Sequence, residues 1–169
     1  MQPSALSVSA PTPKPAQPFV PGESFLKFQL TPQITAILPA QVVQEATVLS
    51  ARRITAMPNM PACLLGLTNR RGQVFWVASL VRLLGLPLAT RYRQQYSLVI
   101  IQVGTSPVAL QVDAIEGIVS LPADAIQPPP VHTNSAVLPY LRGCVVHRNE
   151  TLLLLDAEAI LQSSELQSA

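Results

Sequence analysis

"LLGLTNRRGQVFWVASLVRLLGL", residues 64–86, decides how this chain is read. Two apolar runs meet at Asn69-Arg70-Arg71-Gly72, and a buried strand does not admit two guanidinium groups. The four residues therefore read as a turn. Gly72 can supply a positive φ or a close backbone approach, and Asn69 can bond its own backbone. The runs on either side become the arms of a hairpin, with Arg70 and Arg71 projecting from its tip. One arginine could fold back and donate to carbonyls between two halves of the molecule, where five donors are useful. Alternatively it meets a partner directly, and the residues leave both readings open. Ser79 is an N-cap residue ahead of an apolar turn, so a short helix follows the hairpin.

The rest of the body repeats this pattern. "FLKFQL" (25–30) sets Leu26, Phe28 and Leu30 against Lys27 and Gln29, the period of two of a strand. "ITAILPAQVVQEATVLS" (34–50) continues in strand-like fashion, its proline suited to an edge or a bend. "GQVFWVASL" (72–80) and "YSLVIIQVG" (96–104) are apolar on both faces. "PVALQVDAIEGIVSL" (107–121) follows through a turn at Gly104-Thr105-Ser106. "RGCVVHRNETLLLLD" (142–156) is a further hairpin, turning at Arg148-Asn149-Glu150 and ending on a second N-cap, Asp156.

These pieces echo one another. A shift of 77 residues lays Gly66 on Gly143, Arg71 on Arg148 and Ser79 on Asp156. A shift of 72 lays "AILPAQVVQEATVL" over "VALQVDAIEGIVSL". Leu and Val match easily by chance, but the shared order of strands, turn and N-cap is harder to produce that way. The expected fold is all-β, mainly strands with short helices, in two similar small β-barrel subdomains. They are expected at about 25–90 and 95–162, with room for an exchange of strands between them. Residues 1–22 hold six of the 17 prolines and read as a disordered or polyproline-like tail. Residues 163–169 read as a C-terminal tail.

Composition narrows the function. Hydrophobic residues make up 49% of the 169, and mean hydropathy is +0.34. Only 12% are charged, about half the usual share, so some apolar surface is expected to serve partners. A net charge of +2 and aromatics at 5% argue against a nucleic-acid groove. No signal peptide and no apolar run of membrane-spanning length is evident, which predicts a cytoplasmic protein without direct membrane insertion.

No catalytic constellation stands out either. His132 and His147 are the only histidines, and neither has ligand spacing or a neighbouring carboxylate. Cys63 and Cys144 read as buried reduced thiols; a thiol nucleophile would need a histidine brought in from afar. No phosphate loop, HExxH or GxSxG occurs, so catalytic residues, metal and cofactors are all expected to be none. A peptide- or nucleic-acid-binding small barrel remains the alternative to an adaptor.

The motifs resemble those of the CheW-like family, the coupling proteins of bacterial chemosensory arrays. Gly66, Asn69, Arg71, Gly72, Leu80 and Leu84-Gly85-Leu86 stand at the positions of that family's middle signature. "VVQEA" (42–46) resembles its first Val-x-Glu strand, "VDAIEGI" (112–118) the second, and "YLRGCVVHRNETLLLLDAEAIL" (140–161) the closing hairpin and capped helix. The resemblance spans about residues 23–162. It implies two five-stranded SH3-like barrels, no enzymatic activity and a scaffold's task. The implied partners are a CheA-type histidine kinase regulatory domain and the cytoplasmic tip of a methyl-accepting chemoreceptor, with a response regulator of the pathway as a further candidate. Ser79 departs from the family's usual Asp yet remains an N-cap. Trp76 resembles cyanobacterial members of phototaxis and twitching-motility systems. Gly66, Asn69, Arg71 and Gly72 are expected to shape the receptor side, and Val112, Ile115, Gly117 and Gly143 the kinase side.

Overall fold

The computed structural model describes residues 22–88 and 92–168. Ten strands are β1 (Glu23–Thr31), β2 (Ile34–Pro39), β3 (Val43–Ser50), β4 (Leu64–Arg70), β5 (Gln73–Ser79), β6 (Gln95–Val103), β7 (Ser106–Val112), β8 (Ala114–Leu121), β9 (Leu141–His147) and β10 (Glu150–Leu155). Three short helices are α1 (Leu80–Leu83), α2 (Ala157–Leu161) and α3 (Ser164–Gln167). The strands form two five-stranded sheets, ordered β3-β6-β7-β5-β4 and β8-β1-β2-β10-β9. The two orders become identical under the repeat, with β3 matching β8, β6 matching β1, β7 matching β2, β5 matching β10 and β4 matching β9.

Sheet membership does not follow a cut between residues 90 and 95. One sheet is contiguous, drawn from residues 43–112, whereas the other takes β1 and β2 from the start of the chain and β8 to β10 from its end. The two stretches related by 72 residues are the crossovers. Each holds two strands of different sheets: β2 gives way to β3 after Pro39 through a short 3-10 turn, and β7 gives way to β8 at Asp113. The proline thus marks a change of sheet. The 107–121 stretch is likewise two strands, since one strand cannot pair in both sheets.

Strands apolar on both faces follow from three hydrophobic clusters. In β6, Leu98 and Ile100 point into the interior of the contiguous barrel with Phe75, Val77 and Ala109. Val99 and Ile101 point the other way, into a central core shared with Leu26, Phe28 and Leu38 of the split sheet. Phe25, Ile37, Leu152 and Leu154 fill the second barrel. Ser79 caps α1 by accepting from the Arg82 N–H, and Asp156 caps α2 by accepting from Ala159. The C-terminal stretch is no loose tail: Ser163 caps α3, and Leu166 packs against the central core. The proline-rich segment, apart from Gly22, lies outside the described residues.

Candidate interaction site

The β4–β5 hairpin turns in two residues, Arg70 pairing with Gln73 across Arg71-Gly72. Both turn residues have positive φ, +53 at Arg71 and +79 at Gly72, as the type I′ turn favoured by strand twist requires. The Gly72 N–H donates to Asn69 Oδ1 at 3.2 Å, the local bond expected of that asparagine. The two arginines then part company. Arg70 folds back, Nε donating to Glu45 Oε1 of β3 at 2.9 Å, with Nη2 on the same oxygen. Its acceptor is a carboxylate within its own sheet rather than carbonyls between the halves. Arg71 stays out in solvent, its side chain 80% exposed and its Nη2 4.0 Å from the same Glu45 oxygen. Arg70 beside Glu45 holds that carboxyl below the usual range, chiefly through the hydrogen bond.

The β9–β10 hairpin repeats this geometry. His147 pairs with Glu150 across Arg148-Asn149, with φ of +50 and +63. Here the nearby carboxylate is held by other groups: Glu150 accepts from Lys27 at 2.8 Å and from Thr35 at 2.5 Å. Lys27 first, then Thr35, keeps Glu150 below its ordinary pKa. Lys27 also pairs with Glu116 at 3.0 Å.

Gly66 and Gly143 have another task. Each is buried under a strap of chain, Thr55 exchanging two backbone bonds with Leu67 and Gln127 two with Cys144. A Cβ on Gly66 would lie 2.1 Å from the Thr55 carbonyl oxygen, and one on Gly143 2.5 Å from that of Gln127. At φ of +144 and +158, neither position suits another residue. These glycines let the straps close the barrels. Val112 is fully buried in the central core, and Ile115 packs half-buried against it. Gly117 (φ +123) opens onto a cleft of about 450 Å³ bordered by Lys27, Ile118, His147 and Arg148. Sequence reasoning did not foresee the pairings of Arg70 with Glu45 and of Lys27 with Glu150, since each joins residues distant along the chain. It also missed a groove of about 820 Å³ between the sheets, lined by Leu30, Ile34, Leu65, Tyr92 and Tyr96, since several separate segments build it.

The cysteines do not form a nucleophilic site. Burial pushes the Cys63 thiol up to about 12, with Glu165 adding to the effect, the opposite of an activated thiolate. The Cys144 sulfur donates to the Pro128 carbonyl at 3.3 Å. No helix among the described residues is long and apolar enough to cross a membrane.

Known proteins are similar to this chain in sequence and in fold. The CheW-like domain family matches residues 24–165. A "Probable chemotaxis protein CheW" of Rhizobium etli is 30% identical over 115 residues, which is 68% of this chain and 74% of that protein. The "Chemotaxis protein CheW" of Klebsiella aerogenes is 26% identical over 145 residues, covering 86% of this chain and 85% of the relative. The crystal structure of the scaffolding protein TtCheW from Thermoanaerobacter tengcongensis superposes with a TM-score of 0.73 at 18% identity, covering 85% of this chain and 95% of that one. Its likeness supports the fold, two small SH3-like barrels. With the family spanning both barrels and their hairpins, this chain belongs to the CheW-like family, a non-catalytic scaffold of the chemotaxis adaptor type.

Proposed function

We propose that the chain couples a methyl-accepting chemoreceptor to a CheA-type histidine kinase, in the cytoplasm at membrane-associated arrays. The observation that carries this reading is the family match across both barrels, joined to a hairpin tip whose Arg71 has only the 4.0 Å approach to Glu45 among the described residues. Asn69, Arg71 and Gly72 would meet the receptor tip. Ile115 and Gly117, half-buried in the edge strand β8, would meet the kinase regulatory domain, with Val112, Gly66 and Gly143 supporting them from within. A response regulator of the same pathway is a further candidate partner. The finer form of the proposal puts the pathway in phototaxis or pilus-driven twitching, on the strength of Trp76. Co-purification with the kinase regulatory domain and a receptor cytoplasmic fragment tests the coupling role. Retention of both at micromolar concentration is expected, an affinity of about −8 kcal/mol; retention of neither would sink it. Deletion of the gene, scored for directed motility toward light and on surfaces, tests the finer form: normal phototaxis and twitching in the deletion strain would remove it.

A further inference from the structure

A polyproline II helix turns once in three residues, so side chains three apart share one face. Pro15, Pro18 and Pro21 stand at that spacing in "PAQPFVP" (15–21), a stretch without charge. Their rings fix φ near the polyproline value, and Gln17 and Val20, each ahead of a proline, are biased to the same extended region. The sequence therefore writes a ridge of three prolines just ahead of β1.

The groove between the sheets has the matching chemistry. Its volume of about 820 Å³ is that of a ligand site, and Tyr92, Tyr96, Leu88 and Pro87 give it aromatic and apolar walls. Tyr92 is 92% exposed and Leu88 51%, apolar surface with no cover among the described residues. The charges at its border are already engaged. Arg93 donates to the Asp113 carboxylate and carbonyl, and Arg82 to the Ala62 carbonyl. An uncharged apolar segment suits such a groove better than an ionic ligand. Polyproline II makes no internal hydrogen bonds, and the tyrosine hydroxyls and the Gln33 amide offer donors to its carbonyls. Aromatic-lined grooves take such segments because the chain has little conformational freedom left to lose.

Reach decides which copy supplies the segment. Gly22 is packed against Ser120 and Leu121, beside the start of β1. Of β1, only Leu30 and Thr31, at the opposite end, line the groove. The strand between them spans about 27 Å at ~3.4 Å per residue. Pro18 stands four residues before Gly22 and reaches at most about 14 Å from it. A copy cannot seat this ridge in its own groove.

We propose that the ridge Pro15, Pro18 and Pro21 of one copy docks in the Tyr92–Tyr96 groove of a second copy. The contact is head-to-tail. Each pair leaves one ridge and one groove unfilled, so the association is open-ended.

Sedimentation velocity of the full chain over a concentration series reads the contact. Self-association is expected. Tyr92→Ala, and the combined variant Pro15→Ala, Pro18→Ala and Pro21→Ala, should each weaken it about fivefold or more. Tyr92 stands outside the core, so its replacement leaves the fold intact. Complementation is the sharper arm. The Tyr92→Ala chain keeps its ridge and the triple variant keeps its groove. Their mixture should form a one-to-one pair at the parent chain's affinity, and nothing larger. A chain monomeric throughout, association indifferent to either variant, or a mixture that binds no better than its components overturns the proposal. A Tyr96 ring resonance that shifts with the triple variant but not with concentration also overturns it, because the ridge would then sit in its own copy.

Discussion

At the scale of the residue, the glycines and arginines of the two signatures separate into structural and surface roles. Gly66→Ala drives a Cβ into the Thr55 carbonyl, and Gly143→Ala does the same at Gln127. Each should destabilise by at least about 3 kcal/mol in chemical denaturation. Gly72→Ala meets nothing within 4 Å and should cost only about 1 kcal/mol, from its positive φ. A mild effect at Gly66 would mean the strap does not lie where it is described. The sequence marked Gly66 and Gly143 as special without showing why, because the strap that covers each is a separate segment. It could not choose between Arg70 and Arg71 for the same reason: Glu45 lies 25 residues away from Arg70. The turn itself was legible, since Asn69 and Gly72 act within four residues of each other.

At the scale of the element, caps and hairpins were readable because their signals are local. Ser79 and Asp156 stand one residue ahead of helices that begin at Leu80 and Ala157. Ser79→Ala should lower stability by about 1 kcal/mol, checked by the thermal midpoint. The Glu45–Arg70 pair makes the contiguous barrel sensitive to acid. Because the folded carboxyl titrates below its ordinary value of 4.5, its contribution is present above that value and lost as pH falls through the lower folded one. Glu45→Gln should therefore flatten the loss of stability below pH 4.5 relative to the parent chain, in denaturation series at matched salt. Parallel curves would show that the pair adds nothing. What the local signals hid was the break within each apolar crossover. Both halves of 107–121 look like strand, and only the alternation of cores decides that Val112 ends one sheet and Ala114 begins the other.

At the scale of the whole molecule, a repeat in the sequence became a repeat in space, with the same strand order, bulge, strap and capped helix in both barrels. The division of the chain between them was not legible, because β1 and β2 join strands that follow 75 residues after β2 ends. Interlocked sheets share one central core, so the barrels should unfold together. Leu84→Ala, at a fully buried site of that core, should cost about 2–5 kcal/mol and lower one transition rather than create two. The central claim is that this scaffold joins two partners, and reconstitution of the ternary complex tests it most directly. A CheA-type regulatory domain and a receptor cytoplasmic fragment are mixed with and without the full chain, and the complexes sized by light scattering. The account predicts that kinase domain and receptor fragment elute together only when the chain is present. Co-elution of the two without it, or a chain that binds either one but never both at once, would contradict the coupling role.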